Sequence, residues 1–172
     1  MTLMTICSKG GYYDSIRLKD IVEVFQDYKK SALLLCTCYC DWKCCAESGL
    51  DQSLCQNSRI AKQREIKTPF ASILKKVNAS FTDAVIFGGL EPMMQVDEVI
   101  QCIEYLRLNG VKKDIIIYTG YYLEEIDSNI LYRLSQNKVI LKCGRFIPNR
   151  SSKYDPILGV VLASDNQYGV YL

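Results

Sequence analysis

Short β-branched runs alternate with amphipathic stretches along most of this chain, and that alternation restricts its fold more than any other feature. Residues 31–38, 83–87, 114–118, 138–143 and 157–163 read as strands. Between them the spacing predicts helices over 69–77, 96–108 and 122–135. Thr68 is the expected N-cap of the first, with Pro69 at its first helical position. Asn109-Gly110 stops the second, and Glu124, Glu125 and Asp127 lie at the positive end of the third. Strands alternating with helices imply βαβ units and an α/β fold, with a mostly parallel sheet of about five to six strands buried on both faces. The 172 residues fit one domain, 1–172, with 1–30 as a peripheral segment whose stretch 15–29 is a short hairpin or helix outside the first strand. No linker, low-complexity tract or internal repeat interrupts it.

In parallel sheets, ligands bind beyond the carboxyl ends of the strands. Every unusual element of this sequence follows a strand. These are a cysteine loop, Gly88-Gly89-Leu90-Glu91-Pro92, Thr119-Gly120-Tyr121, Gly144-Arg145-Phe146 and Ser164-Asp165-Asn166-Gln167. Five polar or glycine-rich tips therefore converge on one rim, which is the expected site.

Two residue counts then narrow the chemistry: nine Cys and no His. Without His there is no imidazole acid/base catalysis, no Ser-His or Cys-His nucleophile pair and no His-ligated zinc or iron. An odd number of Cys excludes a fully paired disulfide framework. No signal peptide is evident at the N-terminus and the longest apolar run is only 32–36, so the expected location is cytoplasmic, with reduced thiols and no membrane span. A net charge of +2 advertises neither nucleic acid nor membrane as a partner. Five cysteines fall within ten residues, Cys36, Cys38, Cys40, Cys44 and Cys45, and Cys55 follows. Cys7, Cys102 and Cys143 are scattered, the last two in apolar contexts that suit small buried hydrophobes. Structural zinc favours Cys-x2-Cys knuckles, which are missing, whereas iron–sulfur clusters accept more varied thiolate spacing. A set of three cysteines would leave one iron of a [4Fe-4S] cube open to a small molecule.

These motifs, taken in order, resemble the radical S-adenosylmethionine (SAM) proteins, and more narrowly the activating enzymes of anaerobic, class III ribonucleotide reductases. The resemblance runs from about residue 15 to 172. The cysteine loop follows the first strand, and Gly88-Gly89-Leu90-Glu91-Pro92 is similar to the family's Gly-Gly-Glu-Pro. Ile117-Tyr118-Thr119-Gly120-Tyr121 with Glu124-Glu125 resembles the activase Tyr-Thr-Gly-Tyr and its acidic helix start. Cys143-Gly144-Arg145-Phe146 stands near its Asp-Gly-Arg/Pro-Phe, and Ala163-Ser164-Asp165-Asn166-Gln167 near its Gly-Ser-Ser-Asn-Gln. Two departures stand out. The family loop is Cys-x3-Cys-x2-Cys, but Glu47 holds the third position, and Leu90 is inserted into Gly-Gly-Glu.

The resemblance implies a partial (β/α) barrel of radical SAM type. It also implies a [4Fe-4S] cluster held by Cys40, Cys44 and Cys55, the last delivered by a longer loop. Two other sets stay open, Cys36/Cys40/Cys44 and one with Cys45 in place of Cys44. Gly88, Gly89 and Glu91 would receive the methionine moiety of SAM, with Thr119, Ser164 and Asn166 near ribose or carboxylate. The implied enzyme cleaves SAM reductively and generates a glycyl radical on a large reductase subunit, drawing electrons from a donor such as flavodoxin or ferredoxin. The basic stretch 138–153, with Arg145 and Arg150, is the expected docking face. Two alternatives remain: a [4Fe-4S] or zinc accessory module without SAM cleavage, and a radical SAM enzyme acting on another peptide or small molecule.

Overall fold

The computed structural model describes residues 12–172; Cys7 and most of the N-terminal stretch read for a signal peptide lie outside them. The elements in chain order are β1 (Ser15–Leu18), β2 (Asp20–Val24), β3 (Ala32–Cys36), α1 (Lys43–Ser48), α2 (Ser58–Ala61), β4 (Ile66–Pro69) and α3 (Phe70–Ala79). Then come β5 (Ala84–Gly88), α4 (Val96–Leu108), β6 (Asp114–Tyr118), α5 (Ser128–Gln136), β7 (Val139–Cys143), β8 (Lys153–Asp155), β9 (Val160–Leu162) and β10 (Tyr168–Tyr171). Six strands form the central sheet in the order β10-β7-β6-β5-β3-β2. The inner four are parallel, and β2 and β10 close the edges antiparallel.

The inner strands are almost continuously apolar because both of their faces are covered. Leu35, Phe87, Ile117 and Leu141 stand in one register row. They pack with Phe70, Ile73 and Val77 of α3, Val99, Ile100, Ile103 and Leu106 of α4, and Leu134 of α5. The next row, Leu34, Ile86, Ile116 and Ile140, faces the other way. Among the described residues no helix covers it; Tyr28, Leu158 and Leu162 do. The three crossover helices therefore lie on one side of the sheet, as in one wall of a barrel, while antiparallel edge strands end it on both sides. A mixed α/β fold with a largely parallel six-stranded sheet is established; a radical SAM barrel is not.

Several expectations shift. Helix α4 occupies the predicted residues. Pro69 takes the cap position of α3, one residue later than expected. The third helix begins only at Ser128, where the Asp127 side chain accepts from Asn129 N (2.8 Å); residues Leu123–Glu125 form a separate 3-10 turn. The stretch 15–29 is not one hairpin, since β1 pairs with β4 and β2 with β3. The largest correction is residues 157–163, which do not form a strand of the central sheet. Gly159, at φ 71°, breaks the run into a β8–β9 hairpin. Buried Asp155 anchors that hairpin by accepting from Ile157 N, Leu158 N and Gly169 N. The last sheet strand is instead β10. Leu158 is fully buried against the helix-free face. Leu158→Ala should therefore lower stability by about 2–5 kcal/mol, read as a lower urea midpoint with an unchanged far-ultraviolet circular dichroism spectrum.

Candidate functional site

The cysteine loop is fastened to the neighbouring strand tips by backbone groups. Thr37 donates to Gly88 O through both N (2.8 Å) and Oγ1 (3.0 Å), and Cys38 N donates to Gln95 Oε1 (2.7 Å). Glu91 N donates to Tyr39 O (2.7 Å). Gly89 sits at φ 82°, and a Cβ there would come within 3.2 Å of the Cys36 backbone, so the two tips approach as closely as glycine permits. Trp42 enters α1 at φ 56°, a conformation that bulky residues rarely adopt. Its amide donates to Cys40 Sγ (3.3 Å). An amide aimed at a sulfur in this way stabilises the thiolate form and tunes any metal bound to it.

Cys40 and Cys44 share a small recess of about 30 Å³ with Asp41, Lys43, Glu91, Gly120, Tyr121 and Arg145. The Glu91 carboxylate is buried and accepts from Met93 N (3.0 Å), Thr119 Oγ1 (2.7 Å) and Gly120 N (2.8 Å). Burial still pushes its pKa above the usual carboxylate range. Arg145 closes the opposite side. Its guanidinium donates to Glu47 (2.6 Å), to both Glu125 oxygens (2.6 and 3.0 Å) and to Gly120 O (3.2 Å), and it lies over the Tyr122 ring. Lys43 also pairs with Glu125 (2.8 Å), and Tyr121 OH donates to Asp41 (2.7 Å). Helix α1, the β6 tip and the β7 tip are thereby clamped to one another.

Among the sequence-derived site residues, the structure brings Cys40, Cys44 and Glu91 together in this recess. Thr119 stands behind Glu91 as its hydrogen-bond donor, and Gly88 and Gly89 back onto Tyr118 and Cys36. Ser164 is fully buried with its Oγ accepting from Ile147 N (3.3 Å). Asn166 Nδ2 donates to Tyr122 OH (2.9 Å) and Arg145 O (2.7 Å). Both therefore brace the back of the β7 tip rather than lining the recess. Arg145 is itself buried and ion-paired, and half-buried Lys142 donates to Gly144 O (3.2 Å), so two cations expected on the basic face 138–153 are drawn back onto the protein. Arg150 stays half-exposed beside Asp165 (3.4 Å). Sequence reasoning did not assign roles to Asp41, Lys43, Glu47 or Glu125, because their partners are distant in the chain.

Cys45 is buried on α1, near enough to Cys44 and Cys55 for both to raise its pKa, and Cys40 and Cys44 line one recess. Burial pushes Cys40 up to about 12 and Cys45 up to about 11, so both are protonated at neutral pH until a metal displaces the proton. Cys36 and Cys38 are buried as well, and Cys102 and Cys143 belong to the apolar core, as expected of them. Among the described residues no three Cys, Asp or Glu side chains are placed to hold a single metal ion. A cube differs, because each of its thiolates binds a separate iron. Free thiols at Cys40, Cys44, Cys45 and Cys55, none of them in a disulfide, supply the donor type that group takes.

A family model described as a 4Fe-4S single cluster domain matches residues 32–167, which include all of these thiols and every strand tip. No curated protein and no solved structure matches the chain. Among the described residues no helix is long and apolar enough to cross a membrane.

The clamp has a pH signature. Its cations, Arg145 first and Lys43 after it, hold Glu125 down to about 2. Its stabilising contribution is therefore complete above the ordinary carboxylate pKa and is lost as pH falls through about 2. Glu125→Gln should cost about 1–3 kcal/mol at neutral pH, and the gap to the parent protein in denaturant titrations should close as the pH is lowered from 5 toward 2.

Proposed function

The chain belongs to the family of 4Fe-4S single cluster domains, and we propose that it uses its cluster to cleave SAM reductively and to raise a glycyl radical on the large subunit of an anaerobic ribonucleotide reductase. One observation carries this reading: a buried carboxylate, Glu91, faces the same recess as Cys40 and Cys44 while three donors hold it in place. An anion fixed beside two thiols suits a substrate that presents an N–H-bearing amino group next to a metal-binding carboxylate, as the methionine end of SAM does.

Cys40, Cys44 and Cys55 would hold the cluster. When bound and reduced, it supplies the electron that splits the sulfonium C–S bond. Glu91 would accept from the amino group of SAM, and Gly120 holds the Glu91 carboxylate with its N–H and Arg145 with its carbonyl. Thr119 fixes the Glu91 carboxylate in its acceptor orientation. The Trp42 amide steadies Cys40. Arg145 and Glu125 keep α1 seated so that water is excluded from one wall of the recess. The glycine-bearing partner and an electron donor of the flavodoxin or ferredoxin kind complete the proposal. Arg150, which keeps an outward charge, is the remaining candidate for docking on the basic segment.

Anaerobic reconstitution followed by chromatography tests this. With dithionite and excess SAM, the loaded protein should yield 5′-deoxyadenosine and methionine. Cys→Ala at 40, 44 or 55 should abolish both cluster and product, whereas the same change at Cys102 or Cys143 should leave iron content near the parent level. A stable cluster with no 5′-deoxyadenosine above a cluster-free control would assign the chain to electron transfer or accessory binding instead. Co-incubation with a reductase large subunit should produce the glycyl doublet in electron paramagnetic resonance, and Arg150→Glu should lower its yield without loss of iron.

A further inference from the structure

We propose that the segment 50–67 is the docking surface for an acidic one-electron carrier that reduces the cluster. The proposal rests on the cluster reading of the site and assigns the face through which that site is fed. The segment lies against the cysteine loop because both of its ends are tied there. Leu50 N donates to Cys45 O (3.0 Å), and the hydroxyl of Tyr39, the neighbour of Cys40, donates to Glu65 Oε2 (3.1 Å). Between these ties stands half-buried Cys55, whose carbonyl accepts from Ser58 N (2.9 Å). A carrier seated on the segment therefore meets the turn that holds a proposed cluster ligand.

The side chains of the segment suit that partner. Arg59, Lys62, Arg64 and Lys67 are all exposed, and among the described residues none of these four side chains forms an ion pair, hydrogen bond or ring contact. Cations left unpaired in this way add little to the fold, but they draw in a negatively charged surface and speed its encounter. The two carboxylates of the segment are already engaged, Asp51 with Ser53 N (2.8 Å) and Glu65 with Tyr39. Leu54, next to Cys55, is 71% exposed and offers an apolar centre inside the charged rim. Electron-transfer encounters bury little area, so one apolar contact among four cations is in scale with them. The stretch 138–153 differs, since Lys142 and Arg145 are held by the fold and Arg150 stands beside Asp165. A net charge of only +2 suits a partner met through one face rather than a polyanion. In the transfer a single electron leaves a flavin hydroquinone anion, which becomes the neutral semiquinone, and enters the cluster; no bond forms or breaks.

The test uses the full chain as the parent protein, as the double variant Arg59→Glu/Lys62→Glu, as Arg64→Glu, and as Lys112→Glu. Lys112 is exposed and precedes β6, at the end of the sheet away from the strand tips. An acidic flavodoxin is the probe. The cluster-free parent should bind the oxidised flavodoxin in calorimetric titration at low salt. The double variant should weaken that binding about tenfold and Arg64→Glu about threefold, and both gaps should close as salt rises toward about 0.5 M. After anaerobic reconstitution, stopped-flow transfer from the flavodoxin hydroquinone should slow in the same two variants. Their iron content, and their reduction by photoexcited deazariboflavin, an uncharged donor, should stay at the parent level. Lys112→Glu should match the parent throughout, and Leu54→Gln should slow transfer at every salt concentration. Equal binding and equal transfer in the parent and both segment variants would overturn the proposal and leave the cluster reading standing. Variants that accept flavodoxin electrons normally but give a weaker glycyl doublet would overturn it too, assigning the surface to the reductase subunit. A parent that takes up no cluster overturns that reading and this one with it.

Discussion

Three strand tips meet on one residue, Glu91, whose carboxylate is buried, and the arrangement of the site depends on it. Glu91 reaches the β6 tip through Thr119 and Gly120, its own turn through Met93 N, and the cysteine loop through its backbone N–H to Tyr39 O. A charge this deep is tolerated because the three bonds to the carboxylate are charge-assisted and two of their donors, Met93 N and Gly120 N, are backbone groups. Thr119 and Gly120 owe their positions to the register of β6 beside β5 and β7, and Tyr39 to that of β3 beside β5. Sheet order thus becomes site geometry with few intervening side chains. The Leu90 insertion, which on sequence grounds displaced Glu91 from its family position, is absorbed by burying Leu90 while Glu91 still enters the recess.

What could be read from the sequence follows from period and punctuation. The apolar cores of 83–87, 114–118 and 138–143, each closed by glycine or by Thr-Gly, gave strands within a residue or two of those found, and the strand-tip rule gave the rim. Helix α4 was legible because five apolar positions and an Asn-Gly stop agree. The run 157–163 misled because a short apolar run reads alike in a sheet strand and in a hairpin laid over a sheet face. What separates the two is Asp155, whose bond from Gly169 N is tertiary. The third helix was extended N-terminally because its acidic start looks like one helix end. In fact Glu125 Oε2 accepts from Tyr122 N to close a separate turn.

Charge was harder to place than hydrophobicity. Counting Lys138, Lys142, Arg145, Arg150 and Lys153 suggested a solvated, partner-facing strip. Strand β7 alternates its faces, however, and the chain turns at Gly144, φ 100°, so Lys142 and Arg145 are directed inward. Acidic residues from α1 and from the turn after β6 meet Arg145, and neither contact has a local sequence signature. An Arg at the end of a parallel strand next to a glycine is thus ambiguous between docking and internal bracing until its partners are known. Here the bidentate contact with Glu125 and stacking on Tyr122 make it a brace.

The same inward cations bear on how an anionic cluster can be held in so small a rim. Thiolates crowded beside Glu91, Asp41, Glu47 and Glu125 would face strong mutual repulsion in a partly dry site. Arg145 and Lys43 neutralise Glu125 and Glu47, which removes two of those charges from the sum. Lys142 remains. Burial holds its pKa down to about 8, and Cys143, Glu91 and Cys44 pull it upward. A negative cluster next to Cys44 would stabilise the charged form further, so metal binding and Lys142 protonation reinforce one another. The site therefore carries its own counter-charge on β7, a strand whose sequence places a lysine where an apolar residue would otherwise continue the helix-free row. In the fold itself that charge is held by the Gly144 carbonyl and the face of the Tyr118 ring.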